Sequence, residues 1–473
     1  MNYQTVIGLE IHAELLTASK IFCSCSTAFG SKPNTQICEV CIGLPGALPV
    51  LNEKAVRLAV TAGLALGCEI TENCRFDRKN YFYPDLPKGY QISQLYLPIC
   101  KNGHIEIDTD AGKKEIRIRE IHMEEDAGKL IHGKDGETHI DYNRCGVPLI
   151  EIVTEPDFSS AEEAVAFLTE LKKILLFTGV SDCKMEEGSL RADVNLSVKP
   201  ENSEALGTRT EMKNLSSFRA VQKAIIYESE RQIKELEHGN SIIQQTRRWD
   251  EDRNVSLPMR TKEEANDYKY FPEPDIPPLV LSKEYIEEIR KNIPELPSQK
   301  KERFIAEYGI TEYEALVITD SPAMSEFYEK TAALSDPSQT AKWIIGEVSG
   351  MFAERGLSPE DSRLIPSDLA EIINMVTLGK ISRSTGRDVL AKVLDDKVKP
   401  SEYVEENGLL LIDSADELLP LIKDVIGKNE KAVLQYKNGK ENALHYLLGQ
   451  IMKATKGRAK INEVRDVLKE LLK

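Results

Sequence analysis

Acidic side chains stand close to histidine or to cations in four motifs of this chain, and a fifth places one acid alone among apolar residues. Glu10 and His12 share one side of VIGLEIHAEL, and Glu124, Glu125 and Asp126 follow His122 directly in IHMEED. Glu151 is the one acid in the apolar run VPLIEIV. Arg191 and Asp193 alternate in LRADVNLSV, as do Glu211 and Lys213 in RTEMKN. Each motif alone has a plain reading: acid runs are ordinarily solvated, and alternation with polar residues on one side ordinarily marks a sheet with a wet face. Glu151 fits that reading least, because a lone acid among apolar neighbours needs a partner or a metal. Together, several carboxylates with one imidazole suit Mg2+, which keeps waters and bridges substrate phosphates. Lys and Arg beside them would hold phosphate charge. The pattern points to a metal–nucleotide site on one face of an antiparallel sheet, with a wet face lacking chemistry as the alternative.

Two other segments stand out. In RKNYFYPDLPKGYQISQ, Tyr81, Phe82, Tyr83 and Tyr90 are interleaved with prolines, Gly89, Arg78, Lys79 and Lys88. This is either a rigid aromatic turn or a loop that stacks on a base while its lysines reach anions. The chain has nine cysteines, and four cluster as CSC (Cys23, Cys25) and CEVC (Cys38, Cys41). An odd count argues against a disulfide framework. Paired thiolates across a short loop suit a tetrahedral structural zinc, although the first pair has a single intervening residue; free thiols are the alternative. Neither a GxxxxGK[ST] nor a GxGxxG loop occurs, so a nucleotide would be held by neither standard phosphate loop. No GGSS-type amidase serine motif is present, so any ammonia would come from another protein.

The elements that position these residues can be read coarsely. Strict alternation predicts strands at VIGLEIHAEL, LRADVNLSV and RTEMKN, and a buried strand at VPLIEIV. A break in alternation near Glu120 suggests a bulge or strand end that re-aims Glu124 and Glu125. SSAEEAVAFLTELKKILLFTG reads as a helix with a Ser cap, closed by Gly179. FPEPDIPPL and NIPELP mark an exit, after which SQKKERFIAEYG and SDLAEIINMVTLG are helical. The expectation is an α+β protein with an antiparallel-sheet domain at 1–294, an all-α domain at 295–405 and a small helical tail at 406–473. At 473 residues, with 41% hydrophobic and 29% charged residues, the chain can build such cores. It has no apolar run of about 20 residues, and its opening MNYQTVIGLEIH lacks an export signal's basic and apolar regions, so a cytoplasmic protein is expected. A net charge of −16 argues against a general nucleic-acid binder, yet residues 430–473 carry ten Lys+Arg against five Asp+Glu.

RKNYFYPDLPKGYQISQ, NRCGVPLIEIVTEPD, KMEEGSLRADVNLSV, TEMKNLSSFRA, QQTRRWD and DYKYFPEPDIPPL, in this order, resemble the B subunits of bacterial aspartyl/glutamyl-tRNA amidotransferases. KENALHYLLGQIMKATKGRAK is similar to their YqeY-like tail. The resemblance implies a cradle-shaped catalytic domain, a helical domain and a tRNA-gripping tail. It also implies an amidase A subunit and a small C subunit as partners. The substrate would be tRNA misacylated with Glu or Asp, activated by ATP and amidated by channelled ammonia. By the same resemblance His12, Glu125 and Glu151 would hold Mg2+, while Glu10, Glu124, Asp193 and Glu211 would complete an acidic wall or bind a second ion. Lys79 and Lys88, with Glu125, would lie where ammonia enters, and Lys213 or Arg191 would meet phosphate. The four cysteines match the zinc-bearing form of the family, the zinc being structural.

Overall fold

Alternation dictates the first strand, β1 (Tyr3–Glu14): Ile7, Leu9, Ile11 and Ala13 are buried, while Glu10, His12 and Glu14 stay partly open on the other face. In the computed structural model, which describes residues 2–133, 136–259, 268–412, 415–455 and 458–472, β1 lies in the middle of a nine-stranded sheet. The labelled strands that follow are β2 (Glu69–Ile70), β3 (Asp77–Asn80), β4 (Tyr90–Ser93), β5 (Cys100–Thr109), β6 (Gly112–Glu125) and β7 (Pro148–Thr154). After these come β8 (Leu190–Pro200), β9 (Thr210–Lys213), β10 (Gln245–Asp250), β11 (Val255–Pro258) and β12 (Phe271–Pro272). The large sheet runs β11-β10-β9-β8-β1-β7-β6-β5-β2, and a smaller one runs β12-β3-β4. Every neighbour pair of the large sheet is antiparallel except β9 and β10.

One face of the sheet is apolar and covered. Helices α1 (Glu53–Ala65), α2 (Ala161–Phe177) and α3 (Phe218–Glu237) bring Leu58, Ala62, Phe167, Leu171, Val221 and Ile225 to the core that holds the odd-numbered side chains of β1. Each buried Ile or Leu contributes about 1.5–3 kcal/mol, which fixes the register: a one-residue slip would bury the carboxylates instead. As expected, Ser160 caps α2, its hydroxyl accepting from the Glu163 amide, and Gly179 follows the helix with φ +64°. The bulge expected near Glu120 is present. Val153 faces Glu120 but Thr154 faces Ile118, which leaves Arg119 as the extra residue.

Residues 1–297 form one compact unit and 298–473 another. The second is helical and holds two apolar cores, one from Phe304 to Val404 and one from Ile412 to Leu472. Helix Pro297–Tyr308 takes in SQKKERFIAEY and helix Pro366–Thr377 takes in SDLAEIINMVT, with Gly309 and Gly379 beyond their ends. Among the described residues no helix is long and apolar enough to cross a membrane.

Candidate active site

Antiparallel register lines the polar side chains up in ranks across the open face. Arg191, His12, Glu151 and His122 lie opposite one another on β8, β1, β7 and β6. The next rank places Asp193, Glu10, Val153 and Glu120 side by side. The third sets Gly8 beside Asn195, which faces Glu211 on β9.

Two acidic groups result. In the first, ligand atoms of His12, Glu124 and Glu151 all lie within 4.8 Å of one another. Glu124 is 3% exposed and is aimed by β4: the Ser93 hydroxyl donates to it at 2.5 Å and the Gln91 amide at 3.1 Å. Burial, then the neighbouring Glu124, pushes Glu151 up to about 8. Burial, reinforced by Arg191, lowers the His12 pKa and keeps its imidazole neutral. Two crowded carboxylates, one of them inclined to hold a proton, beside a neutral imidazole form a donor set that a divalent cation fits.

In the second group the ligand atoms of Glu10, Asp193 and Glu211 also lie within 4.8 Å. Asn195 donates to Glu10 at 2.9 Å and Thr246 to Glu211 at 2.9 Å. Lys213 bridges the other two, 2.6 Å from Asp193 and 2.7 Å from Glu211. Burial opposes the Lys213 charge, but the two carboxylates outweigh it and raise its pKa. Three acids against one lysine leave this group anionic.

The remaining site residues have other partners. Glu125 is outside both groups: it is buried, paired with Lys88, and accepts from the Ile92 amide at 2.9 Å. Arg191 binds Asp126 at 2.8 Å. Lys79 has no carboxylate within ion-pair distance among the described residues, and its ammonium lies 5.7 Å from the Tyr81 ring centre and 5.3 Å from that of Tyr268. Burial opposes the Lys79 charge while Glu124 and Glu151 favour it, and the balance raises its pKa. This cation faces the first acidic group.

The four cysteines converge as well, with their sulfurs within 4.8 Å of one another. Cys38 and Cys41 sulfurs are 3.9 Å apart, close to the roughly 3.8 Å expected of two ligands about 2.3 Å from one tetrahedral zinc. The fully buried Lys20 supplies positive charge, its ammonium 3.6 Å from the Cys41 sulfur and 2.8 Å from the Gln36 carbonyl. A cavity of about 200 Å³ lies between this cluster and the Lys88–Glu125 pair.

Sequence reasoning did not single out Glu14, which hydrogen-bonds Asp126 and is pushed up to about 8 by burial and then by that neighbour. It also passed over Gln91 and Ser93, which hold Glu124, and Tyr268 and Tyr270, whose rings meet 6.1 Å apart beside Lys79. The signal for these was alternation within YQIS and DYKYF, short enough to pass as loop.

Residues 5–287 match the GatB/GatE catalytic domain and residues 326–472 match the GatB domain. The chain belongs to the GatB family. It is 54% identical over 473 residues to the B subunit of the aspartyl/glutamyl-tRNA(Asn/Gln) amidotransferase of Thermoanaerobacter pseudethanolicus, with 100% of both chains covered. The protein of the same name from Caldicellulosiruptor saccharolyticus is 54% identical over 477 residues, covering 100% of this chain and 99% of that one. For Carboxydothermus hydrogenoformans the identity is 50% over 476 residues, with 100% and 99% covered. Both acidic groups, the cysteine cluster and the Lys88–Glu125 pair fall inside the GatB/GatE catalytic-domain match.

Proposed function

We propose that this chain is the ATP-dependent transamidase component of a glutamine-dependent tRNA amidotransferase, converting Glu-tRNA(Gln), Asp-tRNA(Asn) or both to the amides. The names of its relatives support the reaction class. The arrangement that carries the reading is the His12–Glu124–Glu151 group, with Glu124 buried and the other two half-buried, faced by a Lys79 that has no ion-pair partner among the described residues. A carboxylate resists ammonia because its leaving group would be oxide, so it must first be activated. A side-chain oxygen of the tRNA-bound amino acid attacks the γ-phosphorus of ATP, the bond to the bridging oxygen breaks, and ADP leaves. Ammonia then attacks the acyl carbon, inorganic phosphate departs, and a nearby carboxylate takes the surplus proton.

His12, Glu124 and Glu151 would hold Mg2+, which when bound neutralises phosphate charge. The resemblance drawn from sequence has Glu125 in that set; the geometry favours Glu124 and leaves Glu125 with Lys88 beside the cavity through which ammonia would arrive. Lys79 holds the anionic oxygens of the reacting centre, and the anionic group of Glu10, Asp193 and Glu211 would take a second ion. Arg191 positions Asp126 and Glu14, and Lys213 keeps its two acids in place. Zinc on Cys23, Cys25, Cys38 and Cys41 would brace the cavity wall and take no part in the chemistry. The partners are an amidase A subunit that releases ammonia from glutamine and a small C subunit. Residues 1–294 act as the catalytic domain, 295–405 as a helical domain and 406–473 as a basic tail on tRNA, in the cytoplasm. The test is the complex with its partners, supplied with Mg-ATP and ammonium in place of glutamine. ADP and amide should appear only with misacylated tRNA and fall at least a hundredfold in Glu124→Gln; undiminished turnover in that variant, or ADP without tRNA dependence, would overturn the reading.

A further inference from the structure

A charged side chain cut off from water needs a counter-charge. Lys20, between β1 and Cys23, is fully buried, and among the described residues no carboxylate lies within ion-pair distance of its ammonium. An ammonium has three hydrogens to place. Here the Gln36 carbonyl accepts at 2.8 Å, the Tyr142 carbonyl at 3.4 Å and the Cys41 sulfur at 3.6 Å. Carbonyls carry no net charge, so Cys41 is the one contact that can supply an anion. It is also the one buried cysteine of the four, and its sulfur accepts from the Cys38 amide at 3.1 Å. Lys88, the other cation on the adjoining cavity, is paired with Glu125. A metal centre of four thiolates has the opposite need, because their charge exceeds that of one Zn2+.

We infer that Lys20 is the counter-ion of the cysteine-bound zinc, the residue outside the four ligands on which retention of the metal depends. The assignment rests on the zinc reading above and adds this residue to it. The dependence is mutual. The lysine is tolerated in the interior because the thiolates are there, and the cluster keeps its metal because an ammonium against the sulfur offsets part of its excess negative charge. The competing account makes Lys20 a staple. Through Gln36 and Tyr142 it ties the loop between the two cysteine pairs to the turn that precedes β7, and a staple would act whether or not metal is bound. The two accounts part in the metal-free protein. A staple stabilises both forms alike. A counter-ion stabilises the loaded form alone, since without the metal–thiolate charge the buried ammonium is uncompensated and destabilising.

The full chain would be prepared zinc-loaded and zinc-free as wild type, Lys20→Met and Lys20→Gln, the last keeping amide hydrogens for the carbonyls without the charge. The readouts are the rate of zinc release into excess chelator and the thermal midpoint of each form. Both variants should release zinc about ten- to a hundredfold faster than wild type. Their zinc-loaded midpoints should fall while the zinc-free midpoints stay level or rise. Zinc release as slow as in wild type overturns the assignment. So do midpoints that fall equally with and without zinc, variants that fold in neither form, or a Lys20→Gln that behaves as wild type; each makes Lys20 a staple for backbone carbonyls. If wild type takes up no zinc, the zinc reading itself fails and takes the counter-ion with it.

Discussion

Glu124 and Glu125 are adjacent, yet their carboxylates serve different neighbours. Successive residues of a strand point to opposite faces. Glu124 is therefore turned to His12 and Glu151, and Glu125 to Lys88 and the Ile92 amide. The acids were legible in the sequence because Glu10, Glu151, Asp193 and Glu211 sit on alternating or apolar strands. Their grouping was harder to read. One extra residue at Arg119 resets which side chains of β6 face the sheet's open side, and Gln91 and Ser93, from a separate sheet, complete the aim of Glu124. The consequence is measurable with Mn2+ as a paramagnetic stand-in. Glu124→Gln should weaken Mn2+ binding to the full chain at least tenfold, and Glu125→Gln should change it less than threefold. The reverse order would place Glu125 in the cation set.

The strand that carries Glu211 and Lys213 and the two strands beyond it share a single buried carboxylate. Glu228 on α3 accepts from Thr210 of β9 at 2.9 Å, from Ser256 of β11 at 3.0 Å and from Arg231 at 2.6 Å, and lies 3.3 Å from Arg247 of β10. It joins three strands at one edge of the sheet to the helix behind them. Nothing in YESERQ distinguishes this glutamate from an exposed helix charge; its role appears only once β9, α3 and β10 form a strand–helix–strand crossover. That crossover is also why β9 and β10 are parallel in an otherwise antiparallel sheet. The alternation of RTEMKN showed that a strand was there without showing its partner. Removing the Glu228 carboxylate leaves Arg247 buried and uncompensated, which costs about 3–5 kcal/mol. Glu228→Ala should therefore lower the stability read from urea-induced loss of sheet signal by that much, whereas a change under about 1 kcal/mol would mean the strands are held by their ladders alone.

On the scale of the whole chain, the charge has a division of labour. Residues 430–473 carry a net +5 and the rest of the chain a net −21, so in the proposed reading nucleic acid would be met by the tail and the acidic sheet left for metal and nucleotide. The helical second unit was legible because Gly and Pro punctuate amphipathic stretches, as at Gly309 after Tyr308 and Gly379 after Thr377. The proposed chemistry makes one demand that no scaffold or simple amide exchange shares: an oxygen of the amino-acid side chain must leave with the phosphate. The decisive measurement supplies the complex with ATP, ammonium and misacylated tRNA whose side-chain carboxylate carries oxygen-18 in both positions. Released phosphate bearing one labelled oxygen, formed in step with amide and lost in Glu124→Gln, is the expected result; unlabelled phosphate accompanying amide would contradict carboxylate phosphorylation on this chain.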